Sequence, residues 1–233
     1  MSDDLFTWEK VGILDGLSEK PDGYGDCFRD PQTFQTPDGR WFCVIGGEQI
    51  GGSRSGEATD GKGGAAFLYE AMDDTLLSWK YRHVLFAGDA DTGHDFECPD
   101  FFRLPGADDK WVLITSRDKS WWHVGTFDLD ALMFTREVFG ECDNDLFYAA
   151  KSCVGAGGER LLWGWIREER SEAAQVAAGW SGVLSLPRRV VSNFEGGAII
   201  APREPWLQAG FADNSVFELV RRKNRVVTAR KYV

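Results

Sequence analysis

The strongest constraint on this chain is a repeat. "FRDPQTF" at residue 28 returns as "FECPDFF" at residue 96 and, more faintly, as "FYAAKSC" at residue 147. Each copy is followed by a turn and an apolar run: "DGRWFCVIGG", "DDKWVLITS" and "GERLLWGWI". A second element recurs as well, "SDDLFTWEK" at residue 2 and "MDDTLLSWK" at residue 72. Self-similarity of this kind marks a repeat architecture. Spacings of 68 and 51 residues between copies fit one antiparallel four-stranded sheet with generous loops, the blade of a β-propeller.

The intervening sequence agrees. Short Val/Ile/Phe/Trp runs alternate with turn signals such as "TPDGR", "PGADDK" and "GAGGER". Helical periodicity is confined to "SEAAQVAAGW". The expected fold class is therefore all-β, with three blades at roughly 28–79, 96–138 and 147–203. Three is fewer than the four to eight with which propellers usually close. "SDDLFTWEK" reads as the end of an earlier blade.

The totals bound the function classes. With 233 residues, 43% hydrophobic content and ten Trp, the chain can bury a sizeable core. Net charge is −11, and the last fourteen residues hold six Lys/Arg and no acid. An acidic body does not attract nucleic acid, and the basic tail reads as a solvated or frayed end. No stretch reaches the roughly 18 apolar residues of a membrane span, and "MSDDLFTWEK" lacks the pattern of a signal peptide. The five Cys are odd in number and form no CxxC pair, and His83, His94 and His123 lack ligand spacing. No metal site is expected.

In a propeller the first strand of each blade lines the central channel. The repeat then places Arg29, Glu97 and Tyr148 at equivalent positions, and Asp30, Cys98 and Ala149 at the next. Neighbouring residues of a regular strand face opposite sides. Arg29 and Asp30 both reach the channel only if the strand starts irregularly, which Pro31 favours. Two acids, a guanidinium and a phenol in a Trp-rich setting suit sugar chemistry. Glycoside hydrolysis needs paired carboxylates, roughly 5–5.5 Å apart in retaining enzymes. Each residue also has a plainer reading. Asp30 before Pro31 is a turn residue, Glu97 a solvated edge acid, and Tyr148 core or a hydrogen-bond partner of Glu97. Cys98 is either a small buried hydrophobe or a neighbour that tunes Glu97. Trp163 and Trp165 read mainly as blade core, one of them available to stack on sugar.

Taken in order, "FRDPQTF", "FECPDFF", "WWHVGTFD", "FYAAKSC" and "LLWGWIREERSEAAQVAAGWSGVLSLPRRV" resemble glycoside hydrolase family 32, the β-fructofuranosidases. The resemblance runs from about residue 2 to 205 and implies a five-bladed propeller, followed in the family by a β-sandwich. It implies retaining hydrolysis of a terminal β-fructofuranosyl unit from sucrose or a fructan oligosaccharide, without a cofactor. Matching motifs make Glu97 the general acid/base and Asp30 the residue that grips fructose and stabilises the transition state. The substrate-binding candidates are Arg29, Cys98, Tyr148, Asp143 and Trp165. The family's nucleophile lies in an Asn-Asp-Pro-Asn motif on the first blade, and this sequence contains no such motif. The expectation is a partial catalytic domain at 1–205, holding blades three to five, with a divergent tail at 206–233. Three readings follow: a fragment of a fructosidase, one chain of a two-chain enzyme, or a degenerate relative that binds sugar or does nothing. Relatives of this type are often secreted or vacuolar, and neither compartment nor oligomeric state is read from the residues.

Overall fold

The turn signals separate strands in the computed structural model, and in the first two sheets the strands hydrogen-bond to their neighbours in chain order. The structure describes residues 1–17, 20–22, 24–49, 63–143 and 145–192, with the strand segments 198–202, 216–222 and 225–232. The first sheet runs β1 (Tyr24–Gln35), β2 (Trp41–Gln49), β3 (Gly64–Ala71), β4 (Trp79–Ala87). The second runs β5 (Glu97–Arg103), β6 (Trp111–Arg117), β7 (Lys119–Asp128), β8 (Met133–Glu141). The third begins with β9 (Phe147–Val154) and β10 (Arg160–Ile166). The outer edge of β10 then pairs with two short strands, β11 (Val183–Leu184) and β12 (Arg188–Ser192), and β12 pairs with β13 (Ala198–Pro202). Three antiparallel sheets thus follow one another as the repeat predicts. The first extends a few residues beyond the expected 28–79 at both ends.

In the first two sheets the apolar run after the turn is a second strand buried on both faces, while β10 keeps Trp163 half-buried and Trp165 exposed. In β6, Trp111 and Leu113 join Phe34, Phe101 and Phe127 between the first and second sheets. Val112 and Ile114 join Phe102, Phe147 and Leu162 between the second and third. Period-2 alternation therefore feeds two cores from one strand, which is why "WVLIT" carries no polar interruption until its end. Phe101 stacks on Trp111 at 5.0 Å and meets Phe127 edge-on at 5.2 Å. Truncating it to Ala would cost about 3–5 kcal/mol.

The second repeated element is a turn. Leu76 between β3 and β4, and Leu132 between β7 and β8, each have φ of 57°, and Leu5 near the N-terminus has 62°. An upstream carboxylate caps backbone N–H groups each time: Asp73 for Thr75, Asp128 for Asp130 and Ala131, Asp4 for Phe6 and Thr7. Such side-chain-to-backbone bonds are what Asp offers a turn. The Trp79 indole donates to Leu76 O at 2.9 Å, and the Trp8 indole to Leu5 O at 3.1 Å. The echo seen in the letters is thus an echo in conformation. The settings differ: Trp79 is 4% exposed and Trp8 is 68% exposed.

The helical patch forms α1 (Glu172–Ala178). The Ser171 side chain caps Ala174 N–H, and Gly179 ends the helix with φ of 75°. No helix among the described residues is long and apolar enough to cross a membrane. The basic C-terminal stretch is not simply frayed: β14 (Val216–Arg222) pairs antiparallel with β15 (Arg225–Tyr232). The expected boundary at 205/206 lies outside the described residues.

Candidate active site

Each inner strand begins with an irregularity at the same repeat position. The β1–β2 register shifts between Arg29 and Gln32, and the β5–β6 register between Glu97 and Asp100. In β9–β10 the shift lies between Trp163 and Trp165, opposite Lys151 and Tyr148. The residue in each bulge is left-handed: Asp30 with φ of 61°, Cys98 with 50°, Ala149 with 52°. An extra residue in one strand bends it and re-aims its side chains. Left-handed backbone costs an L-residue about 1–2 kcal/mol, and the same cost recurs in three sheets.

The re-aimed side chains reach around the inner strands. Arg29 Nη1 lies 2.8 Å from Glu97 Oε1. The Tyr148 hydroxyl donates a short hydrogen bond to Glu97 Oε2. Asp30 Oδ2 accepts the Cys98 N–H at 2.9 Å and faces the Cys98 thiol at 3.5 Å. Consecutive residues Arg29 and Asp30 therefore both address the neighbouring sheet, as an irregular strand start requires. One layer further along, Gln32 Oε1 accepts Phe101 N–H at 3.0 Å, and Asp100 Oδ2 accepts Ser152 N–H at 2.7 Å. Gln32 and Asp100 are also repeat-equivalent, so one clasp is used twice.

Burial separates the two acids of "FECPDFF". Glu97 keeps 18% side-chain exposure, while Asp100 is 1% exposed. Burial pushes the Asp100 carboxyl above its ordinary range, opposed by the Ser152 hydrogen bonding and the charges of Arg160 and Lys151. Burial chiefly, with the Asp30 charge second, raises the Cys98 thiol to about 12. Tyr148 is driven upward by burial and by its bond to Glu97. It stays a phenol at any ordinary pH and donates to the carboxylate.

The sequence-predicted residues divide. Arg29, Glu97 and Tyr148 converge, and Asp30 and Cys98 form a pair beside them. The Cys98 thiol faces Asp30, not Glu97, so its hydrogen bonding bears on the acid that the tuning reading did not name. Trp165, named as substrate-binding beside its plainer reading as blade core, is 43% exposed, and its ring meets Tyr148 edge-on at 6.4 Å. Asp143 is engaged elsewhere, in an ion pair with Arg188, whose guanidinium lies over Phe147. Two arginines were missed. Arg117 Nη1 stands 3.8 Å from Glu97 Oε1, and Arg167 lies 4.7 Å over the Tyr148 ring. Both come from strand ends whose only sequence signal is a charge beside a turn.

A cavity of about 730 Å³ opens further along the same inner strands, lined by Gln35, Trp41, Arg103, Trp111 and Arg160 among others. Glu97, Arg29 and Tyr148 do not line it. We place the candidate chemistry at Glu97 because there an accessible carboxylate is fixed through both oxygens, by a guanidinium and a phenol. Such a group can exchange a proton with a bound molecule in a defined direction. Among the described residues no cluster of His, Cys, Asp or Glu is arranged to hold a metal ion.

Comparison with known proteins supplies the context. The profile of the glycosyl hydrolases family 32 N-terminal domain matches residues 1–201. The β-fructofuranosidase insoluble isoenzyme 4 of Oryza sativa subsp. japonica is 32% identical over 193 residues, covering 72% of this chain and 30% of that protein. The structure of fructan 1-exohydrolase IIa from Cichorium intybus in complex with 1-kestose superposes with a TM-score of 0.68 at 28% identity, covering 85% of this chain and 39% of that one. A mutant β-fructofuranosidase of Bombyx mori in complex with sucrose gives 0.67 at 26% identity, covering 86% and 42%. The chain thus spans less than half the length of these relatives, and its sheets are blades of their five-bladed propeller type. By the profile match over most of its length, the chain belongs to glycosyl hydrolase family 32.

Proposed function

We propose that the chain carries the acid/base side of a retaining β-fructofuranosidase site acting on sucrose or a fructan oligosaccharide. Glu97 protonates the departing glycosidic oxygen and later withdraws a proton from the attacking water. Asp30 grips the fructosyl hydroxyls and stabilises positive charge as it develops on the ring. Arg29 and Tyr148 orient Glu97, and Cys98 orients Asp30. Exposed Trp165 offers an apolar face to a sugar ring, and Asp143, held by Arg188, contributes from the neighbouring loop. Residues 1–205 are the partial catalytic domain and 206–233 a tail. The observation that carries the reading is the convergence of Arg29, Glu97 and Tyr148, one from each of three successive sheets, on a single carboxylate.

A retaining mechanism also needs a nucleophile, and the family's Asn-Asp-Pro-Asn motif is not in this sequence. The 233-residue chain by itself is therefore proposed to be inactive. Incubation of the purified chain with sucrose or 1-kestose, followed by fructose assay, should show no release. Substituting this chain for the matching segment of the Cichorium intybus enzyme should give fructose release from 1-kestose. Glu97→Gln in that chimera should lower kcat by about 10²–10⁴-fold. A chimera indifferent to Glu97→Gln would defeat the assignment. Sucrose or 1-kestose binding without turnover in the chimera would favour the reading of a non-catalytic sugar-binding remnant.

A further inference from the structure

Beneath Glu97 lies a buried ion pair that the acid/base assignment does not use. Asp95 is 4% exposed, and a buried carboxylate is costly without a countercharge. Arg117 supplies it, with Nε at 3.0 Å from Asp95 Oδ1. His94 Nε2 stands 3.6 Å from the same oxygen. The other end of the same guanidinium faces Glu97, Nη1 to Oε1 at 3.8 Å. One cation is thus held between a buried anchor and the candidate acid.

The backbone is shaped for this placement. Arg117 and Lys119 are paired across a hairpin tipped by Asp118, whose φ is 58°. The preceding Ser116 is the register partner of Glu97. The tight tip therefore delivers Arg117 to the strand end beside Glu97. Gly93 has φ of 97°, and a Cβ there would sit 2.6 Å from Arg117 Cγ. Only glycine both adopts that backbone and leaves room for the arginine stem. Asp95 is fixed in turn, bridged to Glu48 of β2, while the next N–H, of Phe96, donates to Gly47 O at 2.8 Å.

We infer that Arg117, anchored by Asp95, is a positioning residue that holds Glu97 Oε1 together with Arg29. The inference rests on the reading of Glu97 as the acid/base. When Glu97 gives its proton to the glycosidic oxygen, the O–H bond of the acid breaks and a carboxylate remains. Two guanidiniums from different sheets then bear on that carboxylate. The charged and titratable groups around it are Arg29 from β1, Arg117 from β6 and Tyr148 from β9, with Asp30, Cys98, Lys151, Asp95 and the Asp95 neighbours His94 and Cys27 beyond them. Losing Arg117 removes one of the two cations that bear on Glu97 Oε1.

The test is a carbon-13 NMR titration of the full chain labelled at Glu carboxyls, with the Glu97 signal assigned by its loss in Glu97→Gln. Arg117→Met should change the Glu97 carboxyl signal and its titration curve, and Arg117→Lys should restore most of the change. Arg117→Gln leaves an amide to bond Asp95 and should give the same change if the Met variant does not fold. The unmodified protein offers a further readout. Its Arg117 nitrogen-15 Nε signal should move with the Glu97 midpoint. An unchanged Glu97 signal and titration curve in a folded charge-removing variant, or an Arg117 signal blind to Glu97, would overturn the inference. None of these measurements depends on sucrose hydrolysis, so a failure of the acid/base reading in the chimera stays distinct from a failure here.

Discussion

Arg29 and Glu97 are separated by 68 residues in sequence and by 2.8 Å in space. Tyr148, 51 residues further on, closes the other oxygen of the same carboxylate. All three stand at one repeat position, so the contact is a property of the fold's symmetry as much as of any one residue.

The two contacts to Glu97 differ in their worth to stability. Arg29 is 45% exposed, and an ion pair that open to water is worth about 0–1 kcal/mol. The Tyr148 bond is more sheltered, and a hydrogen bond to a charged group is worth about 1.5–3 kcal/mol. Double-mutant cycles in urea, pairing Glu97→Gln with Arg29→Met and then with Tyr148→Phe, should give the smaller coupling for Arg29. A larger coupling for Arg29 would contradict the burial argument.

Asp100 is a clasp between sheets and should behave as one. Asp100→Ala leaves the Ser152 N–H without its acceptor and opens a small void, a loss of about 2–3 kcal/mol. Asp100→Asn keeps an oxygen for Ser152 and removes a charge that burial penalises, so its cost should stay below about 1 kcal/mol. Urea midpoints at pH 7 decide this, and equal losses in the two variants would reject the clasp.

His123 sets part of the pH response. It is fully buried against Phe86, Phe96 and Phe139, with Nε2 at 3.1 Å from Thr115 Oγ1. Burial chiefly, and the Arg136 charge next, depress it from 6.5 to about 3. The unfolded chain therefore binds the proton first. The stability associated with neutral His123 is complete above about pH 6.5 and is lost as pH falls toward 3, by at most about 1.4 kcal/mol per unit. Replacing His123 by Gln should flatten that decline relative to the native chain. Chemical denaturation at pH 7, 6, 5 and 4 measures it, and parallel curves would exclude the effect.

These residues also show what the sequence made legible. The positions of Glu97, Arg29 and Tyr148 were readable because a repeat converts sequence register into spatial register, and Pro31 flagged the irregular strand start. The equivalence of Gln32 and Asp100 lay in the same alignment of letters. Arg117 was not readable, because its place depends on a one-residue hairpin tip and on the missing Cβ of Gly93, and neither leaves a periodic mark. Trp165 was named as substrate-binding while the strand pattern read it mainly as core, and it is 43% exposed. Alternation names two faces of a strand, but exposure depends on what covers each face, and Gly182, whose Cβ would lie 2.3 Å from Trp165 Nε1, covers only part of the ring. Asp143 was assigned from a loose local match, and its partner Arg188 is 45 residues away with no pattern linking them.

The left-handed bulge offers the sharpest test of the repeat, because its three positions carry different side chains. At Asp30 and Cys98 the side chain and N–H are joined across sheets, so substituting either one changes more than backbone strain. Ala149 has φ of 52° and only a methyl group to lose. Glycine adopts that conformation without the Cβ penalty, at the cost of a more flexible unfolded chain. Ala149→Gly should therefore raise stability by about 0.5–1 kcal/mol, while Ala149→Val, β-branched and ill-suited to positive φ, should lower it by at least about 1 kcal/mol. Thermal or urea unfolding of the two variants would read this directly. If Gly destabilised and Val were tolerated, the third inner strand would have to start regularly, and Tyr148 would lose the re-aiming that brings its hydroxyl to Glu97.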